Sequence, residues 1–160
     1  MDHKIINIKN APLPERKAYD SKFSGLSKIA PSLLMNKIYM DIEFDGKKEL
    51  RQGIRRKWTS YQAQDKKKNK YDKDKFIPYD ELIELLVASQ MRCHYCRHDV
   101  QLFYMCVREP YQWTLDRIDN SIGHNLKNVV ISCLKCNLQR RTQNKKKFLF
   151  SKQMRIIKQI

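Results

Sequence analysis

Four cysteines fall in two pairs, Cys93-His94-Tyr95-Cys96 and Cys133-Leu134-Lys135-Cys136. A Cys-x-x-Cys pair folds as a tight turn around a metal, and two such pairs supply the four thiolates of one tetrahedral zinc. Residues 113–141 read WTLDRIDNSIGHNLKNVVISCLKCNLQRR and bring Asp116, Arg117, Asp119, His124, Asn128 and Asn137 close together. The stretch between the two pairs is too acidic and too polar to serve packing alone. Its side chains suit phosphate chemistry. A carboxylate and an amide oxygen hold a hard divalent cation. An imidazole titrates near neutral pH and takes a proton from water. A guanidinium clamps a phosphate through paired hydrogen bonds. The zinc then serves as scaffolding for a second, oxygen-lined site.

The order Asp116-Arg117-Ile118-Asp119-Asn120-Ser121, Gly123-His124, Asn128, Val129-Val130 and Cys133-x-x-Cys136-Asn137 resembles the HNH nuclease superfamily. The resemblance covers residues 91 to about 147. It implies an α+β protein: a zinc-stapled ββα-metal (HNH-like) module with a mainly helical, basic N-terminal extension. It implies hydrolysis of DNA phosphodiester bonds, leaving 5′-phosphate and 3′-hydroxyl ends. It implies a catalytic Mg²⁺ or Mn²⁺ on Asp116 and Asn137, and a structural Zn²⁺ on Cys93, Cys96, Cys133 and Cys136. Asp119 is either a further ligand of the catalytic cation or the Asx residue of a turn, and Asn128 fixes the loop by bonding backbone. The usual HNH sequence has Asp-His where this chain has Asp116-Arg117, and that His activates the attacking water. A branch of the superfamily, including some rare-cutting restriction enzymes, carries Asp-Arg and takes its base from a Tyr eight residues after the Asp. His124 stands at that position, so the resemblance moves the base to His124. Arg117, which stays protonated at any working pH, is left to clamp the phosphate.

Each residue also has a plainer reading. Asp116 can cap a turn, Asn137 can cap a helix, and a lone histidine is more often a surface residue. Two rival functions stand beside cleavage of DNA: a zinc-stapled nucleic-acid-binding module that has lost cleavage, and a nuclease for RNA or for particular structures.

The elements that must position these residues can be read around them. Residues 113–117 form the first strand of the ββα unit, 118–127 its loop, and 129–131 its second strand, with a helix starting around Cys136. Residues 102–107 are β-prone, with Cys106 buried among them. His94 and His98 stand beside a thiolate set that is already complete, and His94 is placed to touch phosphate. Asp80 caps an apolar helix that leads to Cys93. Phe148, Leu149, Phe150, Met154, Ile156 and Ile157 suggest a closing amphipathic helix.

Upstream, Leu50, Ile54, Trp58 and Tyr61 recur at helical spacing from Lys47 to about Lys70. Residues 46–75 hold 12 basic and 4 acidic side chains. Arg51, Arg55, Arg56 and Lys57 flank the stripe and are expected, with Arg140 and Arg141, to meet a DNA backbone. Residues 66–75 read as a flexible lysine-rich loop. Ile42 and Phe44 alternate with acids, as in a short strand ending at Gly46. Residues 32–40 form a short helix or strand, and 1–30 an arm. Three regions follow: an arm with its short element (1–45), a basic helical DNA-binding region with linker and packing helix (46–90), and the zinc-bound module with its final helix (91–160).

The chain has 160 residues with 33 Lys+Arg against 17 Asp+Glu, a net charge of +16. Such an excess points to a polyanion, and duplex DNA is the expected partner. An odd cysteine count argues against a disulfide framework and for zinc in a reducing compartment, cytoplasm or nucleus. No apolar run approaches the ~20 residues of a membrane span. A homodimer is compatible with the sequence. The Lys- and Asn-rich, Gly-poor composition hints at the AT-rich genome of a virus or mobile element.

Overall fold

Pro31, whose fixed φ suits a first helical turn, opens helix α1 (Pro31–Tyr39). Leu34, Met35 and Ile38 face inward on it. Helix α2 (Lys47–Lys67) buries Leu50, Ile54 and Tyr61 along the expected stripe, with Trp58 half-buried. Helix α3 (Tyr79–Ala88) buries Leu82, Ile83 and Leu86, and packs on α1. Each such side chain contributes roughly 1.5–3 kcal/mol on full burial. The structure, a computed structural model, describes residues 26–154. The N-terminal arm and Ile156 and Ile157 therefore lie largely or wholly outside the described residues.

The chain then forms a two-stranded antiparallel hairpin, β1 (Trp113–Arg117) and β2 (Val129–Cys133), with Leu115 opposite Ile131 and Asp116 opposite Val130. Helix α4 (Leu134–Arg140) follows β2 without a gap, and α5 (Lys145–Gln153) ends the described residues. The fold is α+β, with five α-helices and one two-stranded sheet among the described residues. Buried side chains from all these elements join in one core, from Leu34 on α1 to Phe148 on α5. No helix among the described residues is long and apolar enough to cross a membrane.

Several local expectations are corrected. Ile42 and Phe44 form no strand, and among the described residues no strand pairs with them. Their acidic neighbours instead hold Lys47, whose Nζ lies 2.9 Å from Asp41 Oδ1 and 2.5 Å from Glu43 Oε1. Gly46 adopts φ 86° ahead of α2, and a Cβ there would lie 2.3 Å from Leu26 Cδ1. Asp80 sits in the first turn of α3 and Pro78 precedes the helix, so Asp80 is not its cap. Residues 102–107 form no strand, and Cys106 is only half-buried. α4 begins at Leu134, two residues earlier than expected, because Cys133 Sγ itself accepts the Cys136 N–H at 3.4 Å. On α5 only Phe148 is buried while Phe150 is 70% exposed, so a nine-residue helix presents a narrower apolar face than its composition suggests.

Of the expected loop 66–75, Lys66 and Lys67 still belong to α2, and Lys68, Lys73 and Lys75 are exposed, while the aromatic residue among them and the segment after it pack. Tyr71 and Trp58 both meet the Phe76 ring, at 5.5 and 5.6 Å between centroids. Ile77 N–H donates to His124 O at 3.0 Å, and Leu126 N–H to Lys75 O at 2.8 Å. This return segment is thereby laced to the loop between β1 and β2.

Candidate metal centre and adjoining cavity

The sulfurs of Cys93, Cys96, Cys133 and Cys136 lie within 4.8 Å of one another. Three of these cysteines are buried and Cys96 is half-buried. The first pair turns through Arg97, whose φ of 62° lets its N–H reach Cys93 O at 3.0 Å. His94 N–H donates to Ile131 O at 2.9 Å, which pins that turn against β2. The second pair straddles the junction of β2 and α4. Hydrogen bonds from Cys133 and Cys136 hold the Cys93 thiol well below its ordinary range. The Cys136 thiol is pushed far above its own by Cys133 and Cys93. Four close thiols of this kind could hold a zinc ion. His94 and His98 do not join the cluster. The His98 ring stacks on Tyr111, and His94 Nε2 is buried without a hydrogen-bond partner.

Beside this centre lies a cavity of about 620 Å³ whose lining includes Asp116, Arg117, His124, Asn137, Lys68 and Arg141. β1 contributes Asp116 and Arg117, the loop His124, and α4 Asn137. His124 is 4% exposed. Its Nδ1 lies 2.8 Å from Asp65 Oδ1, and its backbone N–H donates to Asp65 Oδ2 at 2.6 Å. No hydrogen bond engages Nε2 among the described residues. The His124 ring packs on Tyr61 at 4.7 Å between centroids. Burial holds the imidazole below its ordinary range, against the pull of the Asp65 carboxylate, while Arg117 acts in the same sense as burial.

Asp116 is also buried, and its carboxylate is engaged by neighbours. Arg140 Nε donates to Oδ2 at 2.6 Å and Nη2 to Oδ1 at 3.1 Å, while Tyr95 O–H donates to Oδ2 at 2.5 Å. Three of its roughly four acceptor positions are filled. Asn137 Nδ2 donates to Thr114 Oγ1 at 3.1 Å and more weakly to Leu115 O, bracing α4 on β1, and its Oδ1 accepts none among the described residues. For a divalent cation the residues fit in part: one position on Asp116 Oδ1 and the Asn137 Oδ1 remain, and Arg140 already balances the carboxylate charge. Asp119 Oδ1 accepts the Ser121 N–H at 2.8 Å, an Asx turn, and Asp119 lies outside this cavity. Asn128 bonds Asp119 on both its N–H and its carbonyl, and Gly123 O, fastening the loop as expected of it.

The basic residues divide. Arg55 and Arg56 are exposed on α2, with Arg55 over the Tyr79 ring at 4.3 Å. Arg51 pairs with Asp41 at 3.1 Å. Lys57 turns inward, contrary to a solvent-facing contact. Its ammonium lies 4.6 Å from the Trp113 ring centroid and donates to Gln112 Oε1 at 2.9 Å and to Trp113 O. Burial pushes it down to about 7. Arg140 is 1% exposed and committed to Asp116, so it offers nothing to an external phosphate. Arg141 is exposed at the cavity rim.

Sequence reasoning missed Asp65, Tyr95 and the inward course of Lys57. Asp65 left a trace: it follows Tyr61 by four residues, at a stripe position where an apolar side chain belongs, and is the one acid between Glu49 and Asp72. The chain matches no family model, no curated protein and no solved structure.

Proposed function

We propose that this protein is a metal-dependent endonuclease of the HNH type, cutting DNA phosphodiester bonds through a zinc-stapled ββα module. The observation that carries this reading is His124, anchored through Nδ1 and unengaged at Nε2, in one cavity with Arg117, Asp116 and Asn137. Nε2 takes the proton of the attacking water. Arg117 spends one donor on Ile122 O at 3.4 Å and keeps others for a phosphate oxygen. Lys68 and Arg141 at the rim draw in the backbone. Mg²⁺ or Mn²⁺ on Asp116 Oδ1 and Asn137 Oδ1 would supply charge neutralisation of the phosphate.

A nicking assay on supercoiled DNA with Mg²⁺ or Mn²⁺ tests this. His124→Ala should lower the cleavage rate roughly 10²–10⁴-fold with DNA binding nearly intact. His124→Gln, which can still donate to Asp65, guards against misfolding. Because the folded imidazole titrates below about 6.5, the rate should rise with pH through a midpoint under that value and level off above it. Asp65, Arg117 and Asp116 are the charges facing the ring. Wild-type cleavage by both variants excludes His124 as the base.

The exposed face of α2 should add affinity without sequence preference. Charge reversal at Arg55 and Arg56 should weaken binding to all duplexes alike and flatten the salt dependence by about one unit of slope per lost phosphate contact. An unchanged slope refutes that assignment. One observation favours the rival reading, a binding module without cleavage: the Asp116 carboxylate is neutralised by Arg140. DNA binding with no nicking under either metal decides for it.

A further inference from the structure

Helix α2 belongs to the basic extension by sequence, yet it sends one acid inward to His124, behind the cavity wall. Asp65 is fully buried. Its two oxygens divide between the two donors of one residue, the ring Nδ1 and the backbone N–H of His124. Gly123 makes this approach feasible, since a Cβ there would lie 2.6 Å from Asp65 Oδ2 and 2.4 Å from Lys70 O. Lys70 O and the Asp65 backbone are themselves tied, through Lys70 N–H to Asp65 O at 2.8 Å. The end of α2, the turn after it and the His124 loop thus form one interlocked unit.

We infer that Asp65 is the positioning residue for His124, fixing its imidazole as the Nδ1–H tautomer so that Nε2 remains the proton acceptor. The inference rests on the nuclease reading and deepens it: α2 completes the active centre as well as offering basic side chains to a backbone. A carboxylate can only accept, so facing Nδ1 it selects the ring form protonated there. A proton on Nε2 instead would leave the cavity with a donor where a base is needed. The second oxygen, on the main-chain N–H, fixes the carboxylate itself and stops it turning away.

Asp65→Asn in the full chain provides the test, because the backbone N–H constrains how the amide lies. Its Oδ1 must stay on the His124 N–H, which turns the NH₂ group toward Nδ1. That arrangement makes Nδ1 an acceptor and places the proton on Nε2. Imidazole ¹⁵N NMR should show Nδ1–H in the wild type and Nε2–H in the variant. Cleavage should fall roughly 10²–10⁴-fold with DNA affinity unchanged, as expected when a base is held in the wrong tautomer. A wild-type His124 already in the Nε2–H form overturns the inference without any variant. A switched tautomer with wild-type cleavage overturns it too. Loss of activity in His124→Gln alone, with Asp65→Asn active, rejects Asp65 and spares the nuclease reading. Wild-type rates in both variants, or a wild-type protein that cleaves no nucleic acid, reject that reading and this inference with it.

Discussion

Removing zinc with a strong chelator should unfold this protein, and Cys133→Ser should do so with no chelator present. The four sulfurs lie within 4.8 Å of one another, and the second pair spans the junction of β2 and α4. Cys133 closes β2 and caps α4 through its sulfur. Three of the four cysteines are buried and the fourth is half-buried, so the cluster sits inside the fold. Apparent binding energies of structural zinc reach about 10–16 kcal/mol in small metal-dependent folds, on the scale of a whole domain's stability. Zinc held by this cluster would therefore supply folding energy, and its loss would not be absorbed locally. Elemental analysis should find one zinc per chain, and thermal unfolding should shift steeply downward with chelator. Cys106→Ser, outside the cluster, serves as the control and should change little. A protein without zinc, or a Cys133→Ser variant with an unchanged Tm, would falsify the assignment.

The cysteine cluster was legible because its signal is local: two residues between sulfurs, twice, with nothing else needed to bring each pair together. Helix α2 was legible because helical spacing reports which face is buried, whereas the hairpin was placed by the resemblance, since its strands are buried almost throughout and show no alternation. What the sequence concealed depends on distant partners. Ile42 and Phe44 alternate as a strand would, yet a strand needs a neighbour, and none pairs with them among the described residues. Arg140 looks like one more cation beside Arg141, and only the fold shows that it enters the core to meet Asp116. Lys57 is one residue from Arg56, but the helix turns it toward Trp113 and away from solvent. Asp65 lies 59 positions from His124, so no spacing rule links them. Residue types around the cavity were visible in advance, but their hydrogen-bond commitments were not. Those commitments decide what chemistry each side chain still has to offer.

Arg140→Met should be among the most damaging single changes outside the cysteines. Arg140 is 1% exposed, and its guanidinium donates to Asp116 Oδ2 at 2.6 Å, to Asp116 Oδ1 at 3.1 Å and to Gln143 O at 2.8 Å. It also donates to Arg117 O. Removing it strands a buried carboxylate with Tyr95 O–H as its remaining donor, and a broken buried pair of this kind costs about 3–5 kcal/mol. For a chain of this size that corresponds to a Tm loss of roughly 10 °C, read by calorimetry. Arg140→Lys should rescue little, because an ammonium cannot reproduce the planar fork that meets both carboxylate oxygens and two carbonyls. The double variant with Asp116→Leu should recover much of the loss, because no uncompensated charge then stays buried. If instead the single variants simply add, Arg140 and Asp116 are not coupled, and the carboxylate is free to serve a cation. Asp116→Ala alone is consequently a poor probe of catalysis, since it strands the guanidinium. Asp116→Asn keeps the shape and the Tyr95 contact, and a loss of cleavage at preserved Tm would place Asp116 in the chemistry rather than in the scaffold alone.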